Sequence, residues 1–452
     1  MEKTLVERSL DASIKDGAAY AVMLGLGESW VGTCALFLGA GPSLVGLLST
    51  IPLFLGACAQ MLTPLVLDRT RRRKGHILAG ATVQMLSWIP MIGALYAPRP
   101  AAFGLLMGGC IAYFVSVHFT VPAWMSLMGD LVPTEIRGRY FGFRNAAALL
   151  LQLLSVGVAG VGLWVFEQGG HERLGFLVLF LGALVARGVS LYYLWRMVEP
   201  PYRQEEQDRF TLRQFLARLP ESNFAKFALF VACLNASAHF VGCLFIPYWR
   251  DDLRYSYGAL MAVLAAALLI QIPALVFWGR VADRYGNRRV LAATSLGIAI
   301  LPAMWLLSTH LAFALFMQFW SGFWWSGFTQ SASNFLLDAV SPPKRARCTA
   351  YLNLMANTGV LLGGVAGSWA IRVVPPRIGP LEFPYAFWTL LILSTVLRGS
   401  VAAIFLPLIR EVREVPRVGT VEMLFHATRE AAEAAVNLVT GLLQGGGERE
   451  RD

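Results

Sequence analysis

The chain has 452 residues, 56% of them hydrophobic and only 15% charged, with a mean hydropathy of +0.56. A soluble domain carries roughly 25% charge, so this composition excludes an ordinary soluble protein and points to a helical protein that crosses a membrane many times. The net charge of +10 does not signal nucleic acid, because Lys and Arg cluster in short loops between apolar runs, where membrane topology requires them.

In chain order, residues 1–16 read as a mixed-charge leader without a cleavage site. Apolar runs then predict twelve spans at 17–39, 43–67, 76–97, 101–127, 141–166, 175–197, 224–248, 257–279, 289–309, 311–337, 349–373 and 384–409. Residues 198–223 form a charged linker that opens on Pro200 and Pro201 and divides the spans into halves at 17–197 and 224–410. The tail, 411–452, contains a stretch from Val421 to Leu443 that fits either an amphipathic helix or a loosely ordered end. With both termini inside, only six Lys and Arg fall on the outer side (Arg99, Arg173, Arg250, Arg254, Arg372 and Arg377), and two sit within spans. That asymmetry predicts cytoplasmic termini in a multi-pass protein of the plasma (inner) membrane. The six Cys fall in or beside spans with no metal-ligand spacing, so neither a metal site nor a disulfide framework is expected.

Three landmarks repeat, two in loops and one inside a span. GRVADRYGNRR, Gly279 to Arg289, follows span 8, and a degenerate copy with Asp68, Arg69 and Arg71 to Lys74 follows span 2, Asp68 matching Asp283 at an offset of 215. Pro64 and Arg71 stand where the two glycines of that copy belong. Asp130, Arg137 and Arg139 after span 4 match Asp338, Arg345 and Arg347 after span 10 at an offset of 208, and Arg187 matches Arg398 at 211. Landmarks at nearly one spacing indicate two homologous six-helix halves. The spacing of Gly279, Asp283, Arg284, Gly286, Arg288 and Arg289 resembles the signature loop of the major facilitator superfamily, twelve-helix type. The resemblance covers roughly Gly17 to Arg410 and implies an all-α membrane fold with a substrate site near the midplane between the halves. It also implies that Asp68, Arg69, Asp283 and Arg284, with Asp130, Arg137, Asp338 and Arg345, latch the cytoplasmic side across the halves. For Arg71 to Lys74, fixing topology is explanation enough.

Ionisable groups inside spans are costly and mark function. Glu28 lies about eleven residues, or roughly 16 Å, into span 1, near the middle of a core about 30 Å thick. Withdrawal from water favours the neutral form of a carboxylate, which suits a proton-coupling group; a buried structural hydrogen bond is the alternative. Asn235 and His239 share a face of span 7, His118 lies in span 4, and Gln330 and Asn334 share a face of span 10 below Trp320, Trp324 and Trp325. These are candidate substrate or proton ligands, with plain packing as the alternative for the histidines and tryptophans. Arg187 and Arg398 are read as architectural, paired within each half or snorkelling inward. No phosphate-binding GxxxxGK[ST] loop, HExxH or GxSxG appears, so no catalytic residue and no cofactor is expected. The expected function is alternating-access transport of a small organic solute by a monomer in contact with lipid, proton-coupled and with a lean toward amphipathic or cationic solutes. A facilitator or importer of a neutral or anionic metabolite, or a transporter-like sensor or lipid-handling protein, is the alternative.

Overall fold

A computed structural model describes residues 3–133, 136–200, 221–341 and 344–413, with isolated positions 214, 415, 419, 422, 423 and 429. Most of the linker and the tail, including the stretch 421–443 apart from residues 422, 423 and 429, lies outside the described residues.

The described helices form twelve spans close to the predicted positions. Span 1 is Lys3–Leu26 continued by Val31–Phe37; span 2 is Pro42–Gln60 with Thr63–Thr70; span 3 is Arg73–Leu86 with Trp88–Ala94. Span 4 is Arg99–Leu131, span 5 Arg137–Gln168 and span 6 Glu172–Arg196. Span 7 is Asn223–Gly242 with a short extension to Asp252, span 8 Tyr257–Tyr285 and span 9 Asn287–Met304. Span 10 is Leu311–Ala339, span 11 Arg345–Val373 and span 12 Ala386–Phe405. Ten of these are long and apolar enough to cross a membrane by length and composition. Spans 9 and 10 fall short on hydropathy: one opens on Asn287, Arg288 and Arg289, the other carries Gln318, Gln330, Asn334 and three Trp.

One expectation needs correction. The stretch 1–16 is not a separate leader, because span 1 runs unbroken from Lys3. Asp16 is buried there (4% exposed) and its charge is met by Arg144 at 3.4 Å and Arg187 at 4.0 Å, so a charge that reads as a boundary lies inside the bundle.

Local chemistry sets the span ends. Ser222 and Ser256 cap spans 7 and 8 by accepting from the backbone N–H of Ala225 and Ala259. Gly286 joins spans 8 and 9 at φ +90°, and the repeat-related Arg71 joins spans 2 and 3 at φ +54°. A positive φ is thus kept at the same place of the loop in both halves, with a different ψ, and in the first half it falls on a residue that bears its steric cost. Between spans 11 and 12 a small antiparallel hairpin, absent from the expected elements, pairs Arg377 with Glu382.

Each half is a six-helix bundle. Span 1 packs on spans 5 and 6, and span 7 on spans 11 and 12. Gly359, Gly363 and Gly367 of span 11 lie directly against the carbonyl oxygens of Ala232, Ala236 and Phe240 on span 7, so the two backbones touch where a Cβ has no room. The halves meet where span 2 runs along span 11 and span 5 along span 8. Large apolar side chains such as Leu154, Val158 and Val161 are left exposed on the outside of span 5, the surface a bilayer would cover.

Candidate functional site

The polar contacts between the halves gather on the face opposite the termini, here the loop face. Ser43 Oγ donates to the Ser368 carbonyl at 2.6 Å, and Arg372 Nε donates to Ser43 Oγ at 2.7 Å. Arg250 lies 2.7 Å from Glu167 and 3.9 Å from Glu172, with its guanidinium 4.1 Å above the Tyr257 ring. The Tyr257 hydroxyl donates to Glu172 at 2.6 Å. Toward the terminal face, among the described residues, Asn353 Nδ2 donates to Gln60 Oε1 across the halves at 3.4 Å.

Beneath this seal lie two adjoining cavities that share Ser49 and Ile246, one of about 180 Å³ and one of about 340 Å³. The first is built around a break in span 1. The α-helix stops at Leu26, a single 3-10 turn holds Glu28 to Trp30, and the helix resumes at Val31. At the break Gly27 lets the backbone lie directly against Trp88 and Ala183, where a Cβ has no room. The carbonyls freed by it are met by Ser29 Oγ, donating to Leu24 at 3.0 Å, and Trp30 Nε1, donating to Gly25 at 3.1 Å. Irregular backbone at this depth is tolerated only where it is buried in protein or lines a cavity. Glu28 is half-buried, accepts from the Tyr113 hydroxyl at 2.5 Å, and has no cationic partner among the described residues.

The second cavity is lined by His239, Phe245, Trp305, Gln318, Trp325 and Arg398, among others. His239 Nδ1 lies 3.1 Å from the Asn235 carbonyl and donates to it, so the neutral ring keeps Nε2 as an acceptor. Arg398 is 5% exposed and donates to Ser394 Oγ, the Ile298 carbonyl and the Ala238 carbonyl at 3.1, 3.0 and 3.2 Å.

The structure therefore brings Glu28 and His239 to the two cavities and leaves other candidates outside. Asn235 bonds back to the Val231 carbonyl at 2.8 Å. His118 faces Gln60 at 3.4 Å, in a polar chain that reaches Asn353 across the halves. Gln330 and Asn334 lie further toward the terminal end of span 10 and line neither cavity. Trp324 turns away, packed on Gly297 with its ring 5.7 Å from Trp278, and its neighbour Trp325 lines the wall instead. Arg187 is held within its half by Asp16, by Ser190 at 2.5 Å and over the Tyr20 ring. Arg398 departs from the expected pairing, because its hydrogen-bond partners among the described residues are neutral oxygens. Tyr113, Ser49 and Gln318 are wall residues that no charge or motif singled out.

Asp130, Asp338 and Arg345 bond within their own halves in this arrangement. Arg73 Nη1 meets Asp130 at 2.5 Å, and in the second half Asn287, one position before the repeat partner of Arg73, meets Asp338 at 2.7 Å. Asp283 is largely exposed, 3.8 Å from Arg413, and Arg284 lies over the Tyr285 ring. Arg69 is exposed, and Arg345 donates to the Leu337 and Val340 carbonyls at the end of span 10. The side chains of Asp68 and Arg137 lie outside the described residues. The N-terminal ends of spans 3 and 9 are met by acids outside the signature loops: Glu199 accepts from the Lys74 N–H at 3.2 Å, and Glu411, 212 residues later, accepts from the Arg288 N–H at 2.8 Å. An offset of 212 matches the other repeats, and that spacing was the signal available for them.

The family model described as Major Facilitator Superfamily matches residues 18–245 and again 227–433. Among solved structures, a mutant of the nucleoside transporter NupG is 15% identical, with TM-score 0.67 over 88% of this chain and 100% of its own. A bacterial homologue of the human lysosomal transporter Spinster, inward-facing and unoccupied, is 13% identical, with TM-score 0.65 over 92% of this chain and all of its own. A bacterial homologue of the iron transporter ferroportin, in an inward-facing state, is 14% identical, with TM-score 0.63 over 90% of this chain and 99% of its own. No curated protein matches the chain. Two homologous matches spanning nearly the whole chain, on an all-α twelve-span fold, make it a multi-pass membrane transporter that belongs to the Major Facilitator Superfamily.

Proposed function

We propose that this transporter moves a small organic solute by proton-coupled alternating access, with the paired cavities between the halves as its transport site. The observation that carries this reading is Glu28: a carboxylate at a helix break, lining a cavity of the first half that Ile246 of span 7 closes, with a tyrosine hydroxyl and, among the described residues, no cation beside it. An uncompensated intramembrane carboxylate costs several kcal/mol in its charged form. Protonation removes that cost, so the charge state of Glu28 biases which face of the cavity is open. With the basic loops and both termini in the cytoplasm of the plasma membrane, the loop face is outside and sealed, and the cavity is reached from within. Opening the outside breaks the Arg250 and Ser43 contacts. The exposed Asp283 and Arg284, with Asp68, Arg69 and their partners Asp130, Arg137, Asp338 and Arg345, then close the cytoplasmic side across the halves.

The test uses the full chain in liposomes holding a pH-sensitive dye, screened against a library of small organic solutes. A transported solute changes the luminal pH with the wild type, and Glu28→Gln brings that change down to the level of empty liposomes while binding persists. Proton movement unaltered by Glu28→Gln would reject the coupling role.

A further inference from the structure

Arg187 and Arg398 occupy matching places in the two halves, but only one has an acid. Arg187 faces Asp16 of span 1. The matching stretch of span 7, residues 224–231, reads FAKFALFV and contains no acid. Across residues 223–410 the acids are Asp251, Asp252, Asp283, Asp338 and Glu382, all at span ends or in loops. Arg398 is nonetheless 5% exposed and forms part of the wall of the larger cavity. A buried guanidinium without a counter-ion is expensive, and a helix staple to neutral oxygens does not require the charge.

The donors left over have a shape. Of the five guanidinium N–H groups, Nε, one on Nη1 and one on Nη2 go to Ser394, Ile298 and Ala238. One N–H on each terminal nitrogen remains, and two such donors fit the two oxygens of a carboxylate. Around them stand Phe245, Trp305 and Trp325, and His239 is on the same wall.

We propose that Arg398 is the substrate's anion site, so that the transported solute is an organic acid whose carboxylate binds the guanidinium while its apolar body lies among the aromatic side chains of the larger cavity. This rests on the reading of the paired cavities as the transport site. It replaces the cationic solute that Glu28 alone suggests: Glu28, in the smaller cavity, carries the proton that accompanies the acid.

The test is equilibrium binding to the purified full chain in detergent, read as thermal stabilisation by four probes at equal concentration: benzoate, phenylphosphonate, benzamide and benzylamine. Ligand binding to the folded state raises the midpoint with concentration. Benzoate stabilises the wild type, and neutral benzamide and cationic benzylamine do not. Arg398→Gln weakens benzoate binding about ten- to a hundred-fold, the value of a charge-assisted contact, and Arg398→Lys restores part of it. Stabilisation by benzamide equal to that by benzoate, by benzylamine alone, by phenylphosphonate without benzoate, or by no probe would overturn the proposal, as would benzoate affinity unchanged in Arg398→Gln. If Arg398→Gln does not fold, the wild-type series decides. No proton gradient enters this measurement, so loss of proton coupling with benzoate binding intact would sink the coupling reading and leave the anion site standing.

Discussion

Gly363→Leu abolishes the folded protein, or leaves it so destabilised that it loses its midpoint in a detergent melt. The three glycines of span 11 at 359, 363 and 367 each face a carbonyl of span 7, one helical turn apart. Gly363 is the central one, and a Cβ there already collides with the Ala236 carbonyl. Overpacking of side chains against side chains costs about 1–3 kcal/mol. Here the obstacle is backbone on both sides, so relief requires the helices to separate, and the cost exceeds the upper end of that range. Gly359→Leu and Gly367→Leu act the same way. Gly364→Ala tests a different contact, since Gly364 faces Thr50 of span 2 in the other half. A normal melt for Gly363→Leu would mean that spans 7 and 11 do not touch as described.

Arg250→Ala opens the loop face. Among the described residues Arg250 is the one cation that meets both Glu167 and Glu172, and it also donates to the Tyr255 carbonyl at 2.8 Å. Its removal leaves two carboxylates facing each other at a half-buried seam. Breaking a fully buried pair costs about 3–5 kcal/mol, and this pair is roughly one-fifth exposed, so about 2 kcal/mol is the reasonable scale, equal to about a thirty-fold shift in a two-state equilibrium. In a variant with the native cysteines replaced, Ser49→Cys reports on both cavities. A membrane-impermeant maleimide applied to the loop face labels it about thirty times faster once Arg250 is gone. Unchanged or slower labelling would remove Arg250 from the gate.

The fold was legible because long apolar runs admit few alternatives to spanning helices, and because the same landmarks recur at offsets near 211. Glu28 was legible for a related reason: a carboxylate alone in an apolar run has to be explained. Asp16 was not, because Asp11 and Lys15 precede it and the sequence there looks like a boundary; its burial depends on Arg187, 171 residues away. The tryptophan at the wall was misread by one position. In the run FWWSGF nearly every residue is apolar or small, so helical periodicity offers no contrast, and the glycine at 297 that receives Trp324 lies on another span. The pairing of Arg398 was misread because the repeat preserved the arginine and lost its acid, and that loss shows only when span 7 is laid against span 1. Glu199 and Glu411 were overlooked because they follow the last span of each half, outside the loops whose motif drew attention.

The central claim is that the halves rock about the cavity between them, sealing one face as the other opens. Spin labels placed in pairs across the halves measure it directly: Gly41→Cys with Ile378→Cys on the loop face, and Arg72→Cys with Arg280→Cys on the terminal face, all exposed positions. With the loop face sealed, the wild type is expected to show the loop-face pair closer than the terminal-face pair. The account predicts that Arg250→Ala adds a population in which the loop-face distance lengthens and the terminal-face distance shortens together, in equal proportion. Distances that change on one face only, or on neither, would contradict it.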